Sequence, residues 1–126
     1  MKIYDDYDAL SSAAAEWVKR AAHESIACRG FFTLAFSGGR SPRGLFLALA
    51  SDRFAERFPW SRTYIFQTDE RCVTPRHPDS NYGMIYEALL SRIRISRHHL
   101  FRIRGELPPE ESASDYTTRL HSFFMD

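Results

Sequence analysis

The chain has 126 residues, 44% of them hydrophobic, ten of them Phe, and a formal net charge of +1. That suits one domain with its own core and gives no general attraction to nucleic acid or to an anionic membrane. No apolar run reaches the length of a membrane span, and the acidic start Met1-Lys2-Ile3-Tyr4-Asp5-Asp6 does not resemble a signal peptide.

Asp8 to Arg29 reads as a helix, because Leu10, Ala13, Ala14, Trp17, Val18, Ala21, Ala22 and Ile26 recur at helical spacing on one face. Gly30 stops it. Phe31–Phe36 is a short, almost wholly apolar run, as expected of a strand buried on both faces. A helix from Pro42 to about Ala50 follows, and Asp52–Ser61 is a connection in which Phe54, Phe58 and Trp60 pack. Thr63–Gln67 is a second strand, rich in β-branched and aromatic residues. The polar stretch Thr68–Ser80 is a loop, and Asn81–Arg92 an amphipathic helix with Ser80 or Asn81 as its N-cap and Met84, Ile85, Ala88 and Leu89 inward. Leu100–Ile103 is a short strand, and Pro109–Phe124 a last helix presenting Ala113, Tyr116, Leu120, Phe123 and Phe124 to the core. Strands alternating with helices predict an α/β fold: a parallel-sheet, Rossmann-like three-layer α/β/α domain over residues 1–126. So few strands read as the N-terminal portion of a larger sheet, with an open edge for a second chain or a second copy to cover.

Between the first strand and its helix lies Ser37-Gly38-Gly39-Arg40-Ser41-Pro42. Two glycines permit a sharp turn and leave no Cβ between backbone N–H groups and a ligand. The helix start adds donors and the positive end of a dipole, Ser37 and Ser41 add hydroxyls, and Arg40 and Arg43 add charge. A phosphate suits that set, although such turns also occur in α/β proteins without any ligand. The turn is neither a Walker A loop nor a Gly-x-Gly-x-x-Gly fingerprint, so a small phosphorylated metabolite fits better than a nucleotide. Thr68-Asp69-Glu70-Arg71 directly follows the second strand. In a parallel sheet this places it beside the first turn, beyond the carboxyl ends of the strands. An arginine there can clamp phosphate and a carboxylate can accept from hydroxyls, or the two can simply hold each other in the loop.

Ser37-Gly38-Gly39-x-Ser41-Pro42, Thr68-Asp69-Glu70-Arg71-x-Val73-x-Pro75 and Asp79-Ser80-Asn81-Tyr82, in that order, resemble the 6-phosphogluconolactonase family, which is related in fold to glucosamine-6-phosphate deaminases and isomerases. The resemblance implies hydrolysis of 6-phospho-D-glucono-1,5-lactone in the pentose phosphate pathway, in the cytoplasm, with no metal and no organic cofactor. It implies that Ser37, Gly38, Gly39 and Ser41 bind the substrate phosphate together with Arg71, that Asp69 and Arg71 form the catalytic pair, and that Glu70 and His77 line the pocket. Ser80 and Asn81 are expected to fix the long loop. The resemblance further implies a longer domain and a glycine-rich Asp-Gly-His turn bearing the general base, which has no match in these 126 residues. Of the five histidines, only His77 lies in a loop near the proposed pocket. Weak or absent turnover by these residues alone is therefore expected. A non-catalytic sugar-phosphate-binding module and an amino-sugar-phosphate isomerase or deaminase remain alternatives. Arg92–Arg104 holds five arginines, two histidines and no acid, but Phe101 is the single aromatic residue among them, so it reads as a solvated face rather than a nucleic-acid surface. Cys28 and Cys72 form no ligand or disulfide pattern and are expected to be reduced, semi-buried thiols.

Overall fold

The computed structural model describes residues 1–125. Helix α1 spans Tyr7–Arg29, with the Asp6 carboxylate accepting the Ala9 N–H at 2.7 Å and Gly30 closing it at φ 86°. Strand β1 (Phe32–Phe36) leads to α2 (Arg43–Ala50), and β2 (Thr63–Gln67) leads to α3 (Asn81–Ala88). Strand β3 is only Leu100–Phe101, and α4 runs Pro109–Phe124. The sheet is parallel in the order β1-β2-β3, with Phe32 opposite Thr63, Phe36 opposite Gln67 and Ile65 opposite Leu100. The expected α/β class and three layers are therefore present.

Alternation along the strands divides the core. Phe32, Phe36 and Ile65 pack with Ala15, Val18 and Ala22 of α1, Phe46 and Leu49 of α2, and Ile85 and Ala88 of α3. Phe54, Phe58 and Trp60 close the same core from the connection before β2. On the other face, Phe123 of α4 lies 4.9 Å from Tyr64, 5.2 Å from Phe66 and 5.2 Å from Phe101, centroid to centroid.

Five expectations change. Strand β1 is not buried on both faces: α4 covers β2 and β3, so Ala35 on the α4 side is exposed. The inward stripe of α1 is Ser11, Ala15, Val18 and Ala22, one step round from the expected face, and Trp17 is 67% exposed. The third helix ends at Ala88 and continues as a tighter turn over Leu90–Arg92. In α4, Ser112 is buried while Ala113 and Phe124 are exposed. Both cysteines are free and exposed rather than semi-buried.

Candidate functional site

The carboxyl ends of β1 and β2 bring the two sequence motifs together. Phe36 O accepts the Thr68 N–H at 3.0 Å, and the hydroxyls of Ser37 and Thr68 are 2.8 Å apart. The Ser37–Ser41 turn and the Thr68–Arg71 loop thus share one rim. Gly39 lies at φ 97°, in the left-handed region, with open space where a Cβ would stand. Gly38 is needed for a different reason: a Cβ there would run into Oδ1 and Cγ of Asn81.

The N–H groups of Gly38, Gly39, Arg40 and Ser41 have no hydrogen-bond partner among the described residues. The donors sit slightly earlier than expected. The first amides of α2 are already used, Arg43 N–H by Arg40 O at 3.3 Å and Gly44 N–H by the Tyr7 hydroxyl at 2.8 Å. The Tyr7 oxygen also lies 2.9 Å from both Arg40 O and Ser41 O, so the phenol holds the turn through its carbonyls and takes none of the amides from Gly38 to Ser41. Beside it is a cavity of about 610 Å³ lined by Arg40, Ser41 and Arg43 from the turn and by Tyr7, Ser11 and Ser12 from α1. Gly44 lets α1 approach this closely, since a Cβ would strike Ser11 Oγ.

In the second loop the three motif residues take different parts. Asp69 is exposed at the rim; its Oδ1 accepts from the Thr68 hydroxyl at 3.1 Å and its carbonyl from Asn81 Nδ2 at 3.3 Å. Arg71 is exposed, with Nη1 donating to Asp79 O at 2.9 Å and the rest of its guanidinium without a partner among the described residues. Glu70, expected as pocket wall, instead caps α3. Its Oε1 accepts Asn81 N–H at 2.7 Å and Arg71 N–H at 2.9 Å. Its Oε2 accepts Tyr82 N–H at 2.9 Å, the Ser80 hydroxyl at 3.0 Å and Gln67 Nε2 at 3.2 Å. Desolvation pushes this carboxyl upward, but the backbone donors of Tyr82, Arg71 and Asn81 outweigh it, and the net shift is below the usual Glu value.

Ser80 caps α3 as expected, accepting Gly83 N–H at 3.0 Å. His77 is drawn away from base chemistry. Its Nδ1 accepts the Asp79 N–H at 3.1 Å, so that lone pair is occupied and the neutral ring carries its proton on Nε2. Sequence reasoning missed the supports behind the loops. Gln67 joins the segment after β3 to the second loop: its Oε1 accepts Ile103 N–H at 2.9 Å while its Nε2 donates to Glu70, and the Tyr116 hydroxyl bridges Gln67 N and O at 3.0 and 2.7 Å. Gly105 lies where a Cβ would strike the Arg71 carbonyl. Tyr7 acts over 37 residues, and no local spacing announces such a contact. Asn81, touching both motifs, carries one hint, its place in the Asp79-Ser80-Asn81-Tyr82 segment.

Residues 5–126 match the family model for glucosamine-6-phosphate isomerases and 6-phosphogluconolactonase. The chain is 34% identical over 117 residues to probable 6-phosphogluconolactonase 2 of Oryza sativa subsp. indica, covering 92% of this chain and 41% of that protein. It is 33% identical over 125 residues to 6-phosphogluconolactonase of Nostoc sp. strain PCC 7120, covering 98% and 50%. The crystal structure of 6-phosphogluconolactonase from Thermotoga maritima superposes with a TM-score of 0.82 at 26% identity, covering 95% of this chain and 52% of that one. The chain thus spans about half the length of the relatives it matches.

Proposed function

From the premise that the chain belongs to the family of glucosamine-6-phosphate isomerases and 6-phosphogluconolactonases, we propose that it binds 6-phospho-D-glucono-1,5-lactone and serves its hydrolysis to 6-phosphogluconate. The observation that carries this is the row of free amides from Gly38 to Ser41 at the carboxyl end of β1. Convergent N–H groups with no chain partner suit a phosphate dianion, because each supplies a charge-assisted hydrogen bond at no cost to the fold. The Ser37 and Ser41 hydroxyls and the free side of Arg71 complete the phosphate set, and the lactone ring then lies over the second loop. There Asp69 accepts from a sugar hydroxyl, and Arg71, if not engaged by the phosphate, donates to the carbonyl oxygen as it gains negative charge. Glu70 holds both residues from behind rather than touching substrate. These side chains are the chain's own contribution; no metal or organic cofactor has a part in the proposal.

Residues 1–126 lack the Asp-Gly-His turn, and the His77 lone pair at Nδ1 is engaged. We assign binding and orientation to these residues and no general base. General-base catalysis contributes about 10²–10⁴-fold, and turnover by these residues alone should fall short by that order. The outer edge of β1 is the place for further polypeptide, from a second chain or a second copy. Just past β3 the Arg119 guanidinium already donates to Arg102 O at 2.8 Å, whereas β1 has no strand beside its outer edge among the described residues. Among the described residues no helix is long and apolar enough to cross a membrane, and a cytoplasmic site of action belongs to the same proposal. Calorimetry with 6-phosphogluconate beside a lactonase assay tests the reading. Binding with weak turnover supports it. Binding with no turnover leaves a sugar-phosphate-binding module, and absence of binding overturns it.

A further inference from the structure

The arginine run Arg92–Arg104 does not form one basic surface. Arg92 and Arg94 turn into a groove that also holds Asp52 and Glu56. Arg97, Arg102 and Arg104 turn the other way and meet Arg119 of α4 around a cavity of about 690 Å³, between α3, the outer side of β3 and α4. None of its lining residues belongs to the Ser37–Ser41 turn or the Thr68–Arg71 loop.

Two of the four guanidinium groups are fixed. Arg102 forms a two-pronged pair with Glu106 at 2.6 and 2.9 Å and lies 5.7 Å from the Tyr82 ring. Arg119 donates to Arg102 O and lies 5.4 Å from the Phe101 ring. The other two are under-partnered. Arg104 stands 3.8 Å from Glu106 and 3.7 Å from Asp115, beyond hydrogen-bond range of both. Arg97 has no acidic partner among the described residues. Four guanidinium groups therefore face two carboxylates, an excess of two positive charges, and each carboxylate is shared by two arginines. Tyr82 and Tyr86 line the cavity as well, beside Leu90, Ile95 and Leu100.

We propose that this cavity is a second anion site, taking the dianionic phosphate of a small organic phosphate ester between Arg97 and Arg104, with the organic part against Tyr82 and Tyr86. Arginine is the residue for this task because its planar fork meets phosphate with two parallel N–H bonds. The excess charge matches a dianion, and the volume exceeds what bare phosphate needs. Asp115 stands between Arg104 and Arg119, its Oδ1 3.7 Å from Arg104 Nη1 and its Oδ2 3.9 Å from Arg119 Nη1, beyond hydrogen-bond range of both and free to turn when a dianion enters. A nucleic acid is disfavoured, since the run is split between two sides and has no continuous track for a backbone.

The test is a two-dimensional NMR titration of the full chain with inorganic phosphate and, separately, with 6-phosphogluconate, at ionic strength matched with chloride. Resonances of Tyr82, Tyr86 and Arg97 should shift independently of those of Gly38 and Gly39, and the ester should bind the cavity more tightly than inorganic phosphate. In the double variant Arg97→Gln/Arg104→Gln, both exposed positions, the cavity shifts should weaken about tenfold or more while those at Gly38 and Gly39 persist. Three outcomes overturn the proposal: cavity shifts absent in the wild type, unchanged in the double variant, or reproduced by chloride. Tighter binding of inorganic phosphate overturns the assignment to an ester.

Discussion

Replacing Glu70 by Gln isolates what the carboxylate does for the site, because size and shape are kept. In the wild type five donors converge on its two oxygens, three of them backbone N–H groups of Arg71, Asn81 and Tyr82. The amide keeps one oxygen and turns the other into a donor that faces donors. With its oxygen toward Asn81 and Arg71, the Tyr82 N–H is orphaned and Gln67 Nε2 meets another NH₂. An orphaned buried N–H costs about 1–3 kcal/mol. The surviving bonds also lose their charge assistance at the start of α3, where a negative charge is worth about 0.3–1 kcal/mol. The sum is about 1–4 kcal/mol, a sizeable part of the 5–15 kcal/mol typical of a domain. Urea unfolding at pH 7 should show the unfolding free energy fall by that amount, through a lower midpoint at unchanged slope. The difference has a pH signature as well. The folded-state carboxyl lies below the usual Glu value of 4.5, so its contribution is complete above 4.5 and is lost as pH falls through the folded pKa. Wild type and Glu70→Gln should therefore converge in acid. A variant within 0.5 kcal/mol of wild type at pH 7 would refute the capping role and return Glu70 to the pocket wall.

Three more outcomes follow from the geometry. Tyr7→Phe removes the hydroxyl that holds Arg40 O, Ser41 O and Gly44 N; amide exchange should quicken at Arg43 and Gly44 and sugar-phosphate affinity should drop several-fold, with little change in helix content by circular dichroism. Gly38→Ala drives a methyl into Asn81, so the unfolding free energy from urea titration should fall by about 1–3 kcal/mol, and adding Asn81→Ala should recover part of that loss. Glu106 is held down at about 2 chiefly by its hydrogen bonds to Arg102; as a partly exposed, solvent-screened pair it contributes about 0–1 kcal/mol, present above pH 4.5 and lost as pH falls toward 2, so Glu106→Gln should be less stable than wild type at pH 7 and equal to it near pH 2 in urea titrations.

The elements were legible where local pattern governs. Gly30 ends α1 because the chain turns left-handed there, and Ser80 caps α3 as its place before Asn81 suggests. The aromatic and β-branched run Thr63–Gln67 is the central strand, although Gln67 at its end turned out to be a buried hub. Errors arose where a distant neighbour decides. An apolar strand pattern cannot show that α4 stops short of β1, so Ala35 was expected inside. In α1 the small residues Ser11 and Ala15 face α2, and the larger Leu10 and Trp17 are left out, because Gly44 brings the helices close enough that bulky side chains do not fit. In the site, the residue types of both motifs were readable and so was their meeting. Their division of labour was not: Glu70 binds α3 through residues about ten positions away, and Tyr7 reaches the turn across 37.

The account rests most heavily on the turn amides, and backbone ¹⁵N–¹H spectra of the chain titrated with 6-phosphogluconate address them directly. Saturable shifts concentrated at Gly38, Gly39, Arg40 and Ser41, with smaller ones at Asp69 and Arg71, are the predicted result. Saturable binding that leaves those four amides unmoved, or no binding at all, would contradict it.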